Sequence, residues 1–496
     1  MIKIPGNLDR AAQTCGNINC HPGITERVEN SIMNTMSGVV SVNRYTFNES
    51  DSLNALNNID QINHSAADTH LRNLCASCHT GKIKQEYGPI GELSRGGGCN
   101  ACHLNYDSNA LQQLELLKTN DGDSLEIKYH PFLSIKVTDL HCFGCHSRSG
   151  RISTNYQGWH ETTIAAEKMP QDTLHRRLED DRVFEFISED IHHKRGMECI
   201  DCHNSYELMG DGTRYAHQEE QVWIQCEDCH RAEYNNTVQF SKLDLESTKI
   251  TNLRGFEDTS RVFLRTQNGA IPLINTILVN NNEAVLTGKN SGKKFQLNPP
   301  AEICTRGSAH DRLTCNSCHS AWAPQCIGCH TEFVPTETGI DHLTGVETDG
   351  KWVEFVGEYL AEAPTLGVIG IKNKFKSEIK ANSQEPKANS QEKIDTFIPG
   401  MVLTIDKSKF SGVEGDSVFK RLFAPTVAHT TSLKGRSCKS CHNNPVAIGY
   451  GRGKLHFEIT GNKGEWKFNP VYQKMQDGLP ADAWIGFLDS TKGGAS

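Results

Sequence analysis

The cysteine spacing constrains the fold of this 496-residue chain more than any other feature. Cys-x-x-Cys-His occurs eight times, and a stretched version with four residues between the cysteines occurs once. In chain order these are motif 1 (Cys15, Cys20, His21; the stretched one), motif 2 (Cys75, Cys78, His79), motif 3 (Cys99, Cys102, His103), motif 4 (Cys142, Cys145, His146), motif 5 (Cys199, Cys202, His203), motif 6 (Cys226, Cys229, His230), motif 7 (Cys315, Cys318, His319), motif 8 (Cys326, Cys329, His330) and motif 9 (Cys438, Cys441, His442). Eighteen of the nineteen cysteines are used, which leaves only Cys304.

This pattern indicates covalent attachment of haem c. Two thiols add to the two vinyl groups of one haem, so they must lie a short, fixed distance apart on a turn. The histidine that follows the second cysteine then ligates the iron as its proximal ligand. Zinc sites also use Cys-x-x-Cys but do not require a histidine after every pair, and disulfides require none. The repeats therefore predict nine haems, with motif 1 as a rarer spacing variant.

The remaining histidines supply candidates for the second axial ligand. Thirteen of the 22 histidines lie outside the motifs, and nine bis-histidine haems need nine of them. An iron with two histidines has a low potential and no open position, which favours electron transfer over catalysis. His342 and His456 lie in sparser surroundings, where a surface role is as well supported. The distal candidates are His64, His70, His130, His141, His160, His175, His192, His193, His217, His310 and His429.

Apolar side chains are scarce for a chain of this length. They make up 36% of the residues, and the mean hydropathy is −0.52. With about 55 residues per haem, porphyrins would supply much of the core. We therefore expect a multihaem cytochrome c fold that is haem-cored, with mostly short α-helices and long loops and one or two small β-rich inserts. Residues 111–118 and 162–168 are expected to be helical.

The motif spacing suggests five regions. A haem-rich N-terminal region (1–235) holds six haems, and a β-rich insert (236–305) follows, with strands expected at 261–265, 271–279 and 283–286. A close haem pair (306–335) precedes a β/loop region (336–436), with strands expected at 351–356 and 397–405. Within that region, residues 380–393 contain a tandem polar duplication that predicts a disordered linker. A C-terminal haem segment (437–496) ends the chain.

Charge and hydropathy limit the partners and the compartment. The formal net charge is −9, before haem propionates add to it, so nucleic acid is not an expected partner. No apolar stretch is long enough to span a membrane. Haem is attached to such motifs outside the cytoplasm, so we expect an exported protein in the periplasm, on the outer surface or outside the cell, although residues 1–7 lack the apolar core of a signal peptide. Arg148 and Arg151 are either propionate partners or ordinary surface arginines.

Several segments resemble the large multihaem cytochromes of dissimilatory metal-reducing bacteria. These are residues 192–203 (HHKRGMECIDCH) with 217–222 and motif 6, residues 142–151 (CFGCHSRSGR) with 158–160, and residues 435–442 (GRSCKSCH). The resemblance runs from about residue 10 to residue 485 and is weak in the β insert and the duplicated segment. It implies extracellular electron transfer in anaerobic respiration, with other redox proteins or metal oxides as partners.

Three functions remain open from the sequence. The first is an electron conduit across or outside the cell envelope. The second is a reductase of nitrite, hydroxylamine or a sulfur oxyanion at a haem with an open position. Many multihaem nitrite reductases carry Cys-x-x-Cys-Lys at the catalytic haem, and its absence here favours an electron carrier over an enzyme. If one haem has an open position, motif 1 is the first candidate for it. The third is a cytochrome filament, a form of the first, in which haems also contact one another between subunits.

Overall fold

The N-terminal half of the protein is built mainly from short helices. The computed structural model describes residues 2–119, 128–147, 152–305, 310–370, 392–483, 488–489 and 494–495. Helices in this half are α1 (Leu8–Ala11), α2 (Ile24–Asn30), α3 (Ile32–Thr35), α4 (Ser37–Thr46), α5 (Ala66–Leu74), α6 (Asn100–His103), α7 (Ser108–Thr119), α8 (Asp139–His146), α9 (Ile152–Tyr156), α10 (Ile191–Lys194), α11 (Cys199–Cys202), α12 (Ser205–Met209), α13 (Gln218–Gln221) and α14 (Cys226–Cys229). Strands β1 (Leu104–Asn105) and β2 (Phe132–Leu133) pair, and β3 (Trp159–Glu161), β4 (His175–Arg177) and β5 (Val183–Phe186) form a sheet in the order β3-β5-β4.

Two three-stranded antiparallel sheets lie within residues 236–305, where a β-rich insert is expected. Strands β6 (Thr237–Gln239), β7 (Val262–Arg265) and β8 (Pro272–Leu273) make one sheet, and β9 (Thr276–Asn280), β10 (Glu283–Thr287) and β11 (Lys294–Leu297) make the other. Helix α15 (Leu245–Leu253) lies between β6 and β7. Their buried face contains Leu264, Leu273 and Leu286, and it packs against Cys202 and Cys229 of motifs 5 and 6. The strands expected at 261–265 and 283–286 are confirmed, whereas the one expected at 271–279 is divided into β8 and β9, which belong to different sheets.

A larger sheet occupies the C-terminal half. Strands β13 (Cys329–Asp341), β14 (Val346–Phe355), β16 (Thr365–Gly370), β17 (Glu392–Asp406) and β18 (Ser417–Pro425) form it, with β13 and β17 parallel. Strands β12 (Ala323–Ile327) and β15 (Glu358–Glu362) pair separately, as do β19 (Gly453–Thr460) with β20 (Lys463–Pro470) and β21 (Leu488–Asp489) with β22 (Gly494–Ala495). Helices here are α16 (Cys315–His319), α17 (Ser408–Ser411) and α18 (Cys438–His442).

Helix α5 joins the N-terminal half of the chain to this sheet. It begins where the Ser65 hydroxyl accepts a hydrogen bond from the Asp68 amide, a typical N-cap. Arg72 donates to Asp341 across 2.7 Å, and Phe47, beside the helix, packs against Trp352 at 5.2 Å between ring centroids. Burying one such aromatic side chain contributes about 1.5–3 kcal/mol. The Arg72–Asp341 hydrogen bond and the Phe47–Trp352 contact together hold helix α5 against the sheet. Helix α5 carries the distal candidate His70.

The remaining structural expectations have mixed outcomes. Helix α7 confirms the helix expected at 111–118, and β14 and β17 confirm the later strands. The helix expected at 162–168 is wrong except for a 3-10 turn at Ala166–Lys168, because Thr162 donates to Val183 and extends the β3–β5 pairing. Residues 392–393 of the expected linker open β17, whereas 380–391, Arg148 and Arg151 lie outside the described residues. Within the described residues no helix has the length and apolar character to cross a membrane.

Candidate haem sites

A tight helical turn forms most of the motifs. In motifs 3, 5 and 6 the histidine amide donates to the carbonyl of the first cysteine at 2.8–3.0 Å. Motifs 4, 7 and 9 lie inside helices α8, α16 and α18. The sequence supplies the caps: Thr314 and Ser437, each directly before a motif, accept from the amides of Ser317 and Ser440. The turn places both thiols and the histidine close together, as attachment requires.

Motif 1 makes the same backbone bond despite its longer spacer. The His21 amide donates to the Cys15 carbonyl at 3.0 Å, so the two extra residues are accommodated in the intervening loop. The thiol of Cys15 lies beside that of Cys99 in motif 3, and this hydrogen bond lowers the pKa of Cys15 to about 6. The stretched motif therefore has the backbone closure of the regular ones.

We expect the protein to lose one haem when Cys15 and Cys20 are both replaced by serine. Without either thiol, motif 1 has no atom to form a thioether, whereas the other motifs keep theirs. Intact mass and the pyridine haemochrome assay should fall from nine haems to eight. Cys304→Ser is the matched control, because Cys304 lies outside all motifs, and it should keep nine. An unchanged count in the double variant would show that motif 1 carries no haem.

Motifs 2 and 8 depart from the common geometry. In motif 2 a 3-10 turn spans Ala76–Cys78, and the buried His79 ring binds at both nitrogens, to Ala76 O at 2.8 Å and to Asp60 at 2.9 Å. Motif 8 is extended: Cys326 lies in β12, Cys329 and His330 lie in β13, and Gly328 between them has a φ of 69°. Haem attachment at motif 8 therefore requires a local turn that this structure does not show.

The cysteines of different motifs are neighbours and define an order. Side-chain hydrogen bonds join Cys15 of motif 1 to motif 3, Cys142 of motif 4 to motif 5, and Cys226 of motif 6 to motif 7. Three further pairs of thiols lie close enough for one to raise the pKa of the other, and they place motif 3 beside motif 4 (Cys102 and Cys142), motif 5 beside motif 6 (Cys202 and Cys229) and motif 7 beside motif 9 (Cys318 and Cys441). The motifs thus form one row in the order 1, 3, 4, 5, 6, 7, 9. Motif 2 lies beside motif 4 through Cys78 and Cys145.

Burial shapes the chemistry of these thiols. It raises the pKa of Cys102 and of Cys202 to about 12, so both are protonated at neutral pH. A buried thiolate would be costly because its charge is removed from water, whereas a thioether carries no charge. The buried positions of Cys102 and Cys202 are therefore compatible with covalent attachment of haem. The structure shows all nineteen cysteines as free thiols, with no disulfide among them.

Three motif histidines are paired with histidines from elsewhere in the chain. The ring centroids of His203 and His429 are 6.3 Å apart, those of His442 and His310 are 6.3 Å apart, and those of His230 and His192 are 6.1 Å apart. An imidazole–metal bond is about 2.0 Å long, so two imidazoles on one metal ion have centroids about 6.3 Å apart. These pairs therefore have the spacing of axial ligands to one iron. Each joins a proximal candidate to a distal one.

Hydrogen bonds orient the rings in two of these pairs. His203 Nδ1 donates to Glu207 at 3.1 Å, and His429 Nδ1 donates to the Val427 carbonyl at 2.8 Å. His230 and His192 make equivalent Nδ1 bonds, to the Asn298 carbonyl at 2.8 Å and to the Asp190 carboxylate at 2.9 Å. Such bonds fix the tautomer that leaves Nε2 as the metal-binding nitrogen. Two further motif histidines, His103 and His319, use Nδ1 in the same way.

Burial favours the neutral form of two of the paired rings, His429 and His230. It lowers the pKa of His429 to about 4, and it also lowers the pKa of His230. A neutral imidazole has the lone pair that a metal ligand requires. These residues therefore fit a haem iron in both spacing and protonation.

His70 and His160 are the most deeply buried of the other distal candidates. They are 7% and 5% exposed, and their ring nitrogens make no hydrogen bond of good geometry in the described part of the chain: Glu354 Oε1 lies 3.3 Å from His70 Nε2, and the Tyr359 backbone lies beside the His160 ring. Burial lowers the pKa of His160 to about 4. Both lie near motif 8, His160 beside Tyr359 opposite Cys326 and His70 beside Glu354. Buried polar nitrogens without partners are expected where a ligand is bound.

The other distal candidates have different surroundings. His141 Nδ1 accepts from the Thr138 amide, and His217 Nε2 donates to the Leu53 carbonyl at 2.9 Å, so both rings serve the local fold. His64 and His130 are exposed. The Nδ1 atoms of His175 and His193 bind Asp172 and Glu189. Burial lowers the pKa of His141, and the nearby His103 of motif 3 lowers it to a smaller extent.

Sequence reasoning missed the groups that orient the ligands. Glu207 follows His203 by four residues and Asp190 precedes His192 by two, so carboxylates at these short separations were a readable signal. The carbonyls of Asn298 and Ser432 could not be found in this way, because they come from distant segments.

Comparison of the chain with models of known protein families, with curated proteins and with solved structures finds no match in any of the three.

Proposed function

We propose that this chain is a multihaem electron-transfer protein that holds nine haem c groups, most of them with two histidine ligands. The observation that carries the proposal is the pairing of His203, His230 and His442 with non-motif histidines at 6.1–6.3 Å. Cysteines of each motif would hold haem covalently, and both axial positions would be filled by imidazole. When bound, such a group supplies a low-potential one-electron couple.

The row of motifs supports a relay function. Motifs 1, 3, 4, 5, 6, 7 and 9 are successive neighbours through their cysteines. Redox groups held by adjacent motifs can exchange electrons in series, so the order of motifs gives the order of the relay.

The two ends of the row are exposed. Cys20 and His21 in motif 1, and Cys438 and His442 in motif 9, are all at the surface. We propose that respiratory electrons enter and leave here, through other redox proteins or extracellular acceptors such as metal oxides. The proposal places the protein outside the cytoplasm, in the periplasm, on the outer surface or beyond the cell. Contact between the ends of two copies would extend the row into a filament.

Electron paramagnetic resonance of the oxidised holoprotein, combined with haem counting, tests this function. We expect nine c-type haems, low-spin signals from most of them, and reversible reduction at low potential without substrate. Bis-histidine coordination gives low-spin iron because both axial positions are filled. A large high-spin signal that responds to nitrite or hydroxylamine would instead indicate a reductase. Absence of covalent haem would overturn the proposal.

A further inference from the structure

A turn of the β insert reaches into motif 5. The turn joins β10 to β11 at residues 288–293, far along the chain from Cys199–His203. The Lys289 amide donates to the Asp201 carboxylate at 2.6 Å. The Lys289 ammonium group donates to the carbonyl of His203 at 3.0 Å and also to the carbonyl of Ile200. One lysine therefore binds the helical turn of motif 5 at three points.

Neighbouring residues fix the position of this lysine. Arg254 donates to the Lys289 carbonyl at 2.9 Å, and Asn275 donates to the Asp201 carbonyl at 3.0 Å. Asn290 donates to Glu198, the residue before the motif, at 2.6 Å. The insert thus contacts motif 5 along its whole turn, and Lys289 is held in place rather than extended into solvent.

The insert has no motif of its own, yet it contacts the middle of the row. Motif 5 is the fourth of the seven motifs that follow one another through their cysteines. A change of potential at that point alters electron flow between the two halves of the row. The insert is therefore placed where it can act on the whole relay.

We propose that Lys289 is a positioning residue for motif 5 and that its charge raises the reduction potential of the haem held there. The proposal rests on the proposed function. Reduction adds an electron, which a nearby cation stabilises, and the effect is stronger in a low-dielectric interior than in water. The charged groups around Lys289 are Asp201 and Glu207, which oppose it, and Arg254, which adds to it.

Spectroelectrochemical titration of the purified holoprotein at pH 7 tests this proposal. We compare the parent protein with Lys289→Gln, Lys289→Arg and Lys294→Gln. Lys294 lies exposed on β11 beside the same turn, so its replacement makes the same change in net charge without contact with motif 5. We expect Lys289→Gln to shift one ninth of the haem absorbance to lower potential by about a tenfold change in equilibrium, or about 59 mV for one electron. Lys289→Arg and Lys294→Gln should follow the parent curve.

Each outcome bears on the proposal. Coincident curves for Lys289→Gln and Lys294→Gln would overturn it, as would an equal shift in Lys289→Arg. Loss of one haem from Lys289→Gln alone would support the positioning role, because only motif 5 contacts this side chain among the motifs. A parent protein that carries no covalent haem, or that does not titrate reversibly, would instead refute the proposed function. That failure is recognised in the parent protein alone, before any variant is compared with it.

Discussion

We expect replacement of His429 by alanine to convert one of the nine proposed haems from low spin to high spin in the oxidised protein. His429 lies 6.3 Å from His203 between ring centroids, and its Nδ1 is held by the Val427 carbonyl. Its backbone has a φ of 53°, a strained conformation for a residue other than glycine, which the surrounding contacts must maintain. Alanine removes the only imidazole that the structure places opposite His203 within its described residues. Water, a weaker ligand, would then occupy that position.

Electron paramagnetic resonance and optical spectroscopy of the ferric protein measure this change. The high-spin signal should account for one haem, and the haem count should stay at nine because both cysteines of motif 5 remain. His456→Ala is the control, since His456 binds Glu458 on the β19–β20 hairpin and the described residues place no motif histidine opposite its ring. A fully low-spin spectrum in His429→Ala would show that His203 has a different partner.

The sequence predicted the local geometry of the motifs but not the ligand pairs. The turn of motif 5 is formed by five adjacent residues and closed by a bond from the histidine amide to the carbonyl of the first cysteine. The same bond is present in motif 1, so the spacing of the cysteines was enough to predict this local geometry. His429 and His203 are distant in sequence, and they meet because the Thr431 amide donates to Asp190 and its carbonyl accepts from the Ile191 amide. Such contacts depend on the tertiary fold and leave no periodic signal in the chain.

The amount of sheet also exceeded expectation. The insert strands could be predicted because alternating apolar residues lie between Asn and Gly turns. Strand β13 could not be predicted, because it begins inside motif 8, where the pattern predicted a turn. There the pairing of Cys326 with Tyr359 and of His330 with Phe355 overrides the local preference.

Glu207→Gln should raise the reduction potential of the haem held by motif 5, opposite in sign to Lys289→Gln. The Glu207 carboxylate is 2% exposed, accepts from His203 Nδ1, and accepts from the amides of Trp223 and Ile224 at 2.7 Å. Burial raises the pKa of Glu207, but the hydrogen bonds from His203 and the two amides outweigh it, so the net pKa is lowered and the group is ionised at pH 7. A carboxylate on Nδ1 makes the imidazole a stronger donor, which stabilises ferric iron.

The size of the effect follows from the strength of that hydrogen bond. Hydrogen bonds to charged groups contribute about 1.5–3 kcal/mol, which corresponds to about 60–130 mV for a one-electron couple. The glutamine side chain would also turn an N–H towards His203 or towards the Trp223 and Ile224 amides, so we expect a loss of about 1–3 kcal/mol in the free energy of unfolding. Redox titration measures the first effect and denaturant unfolding measures the second.

Glu220→Gln provides the matched control for this variant. Glu220 accepts from the Ala216 amide at 2.8 Å and contacts no motif histidine among the described residues. Its replacement makes the same change in net charge but should leave the reduction potential of the haem at motif 5 unchanged. Because Lys289 and Glu207 act on the same histidine with opposite charge, the double variant Glu207→Gln/Lys289→Gln should return towards the parent potential. A shift in Glu220→Gln as large as that in Glu207→Gln would show that net charge, rather than the bond to His203, sets the potential of motif 5.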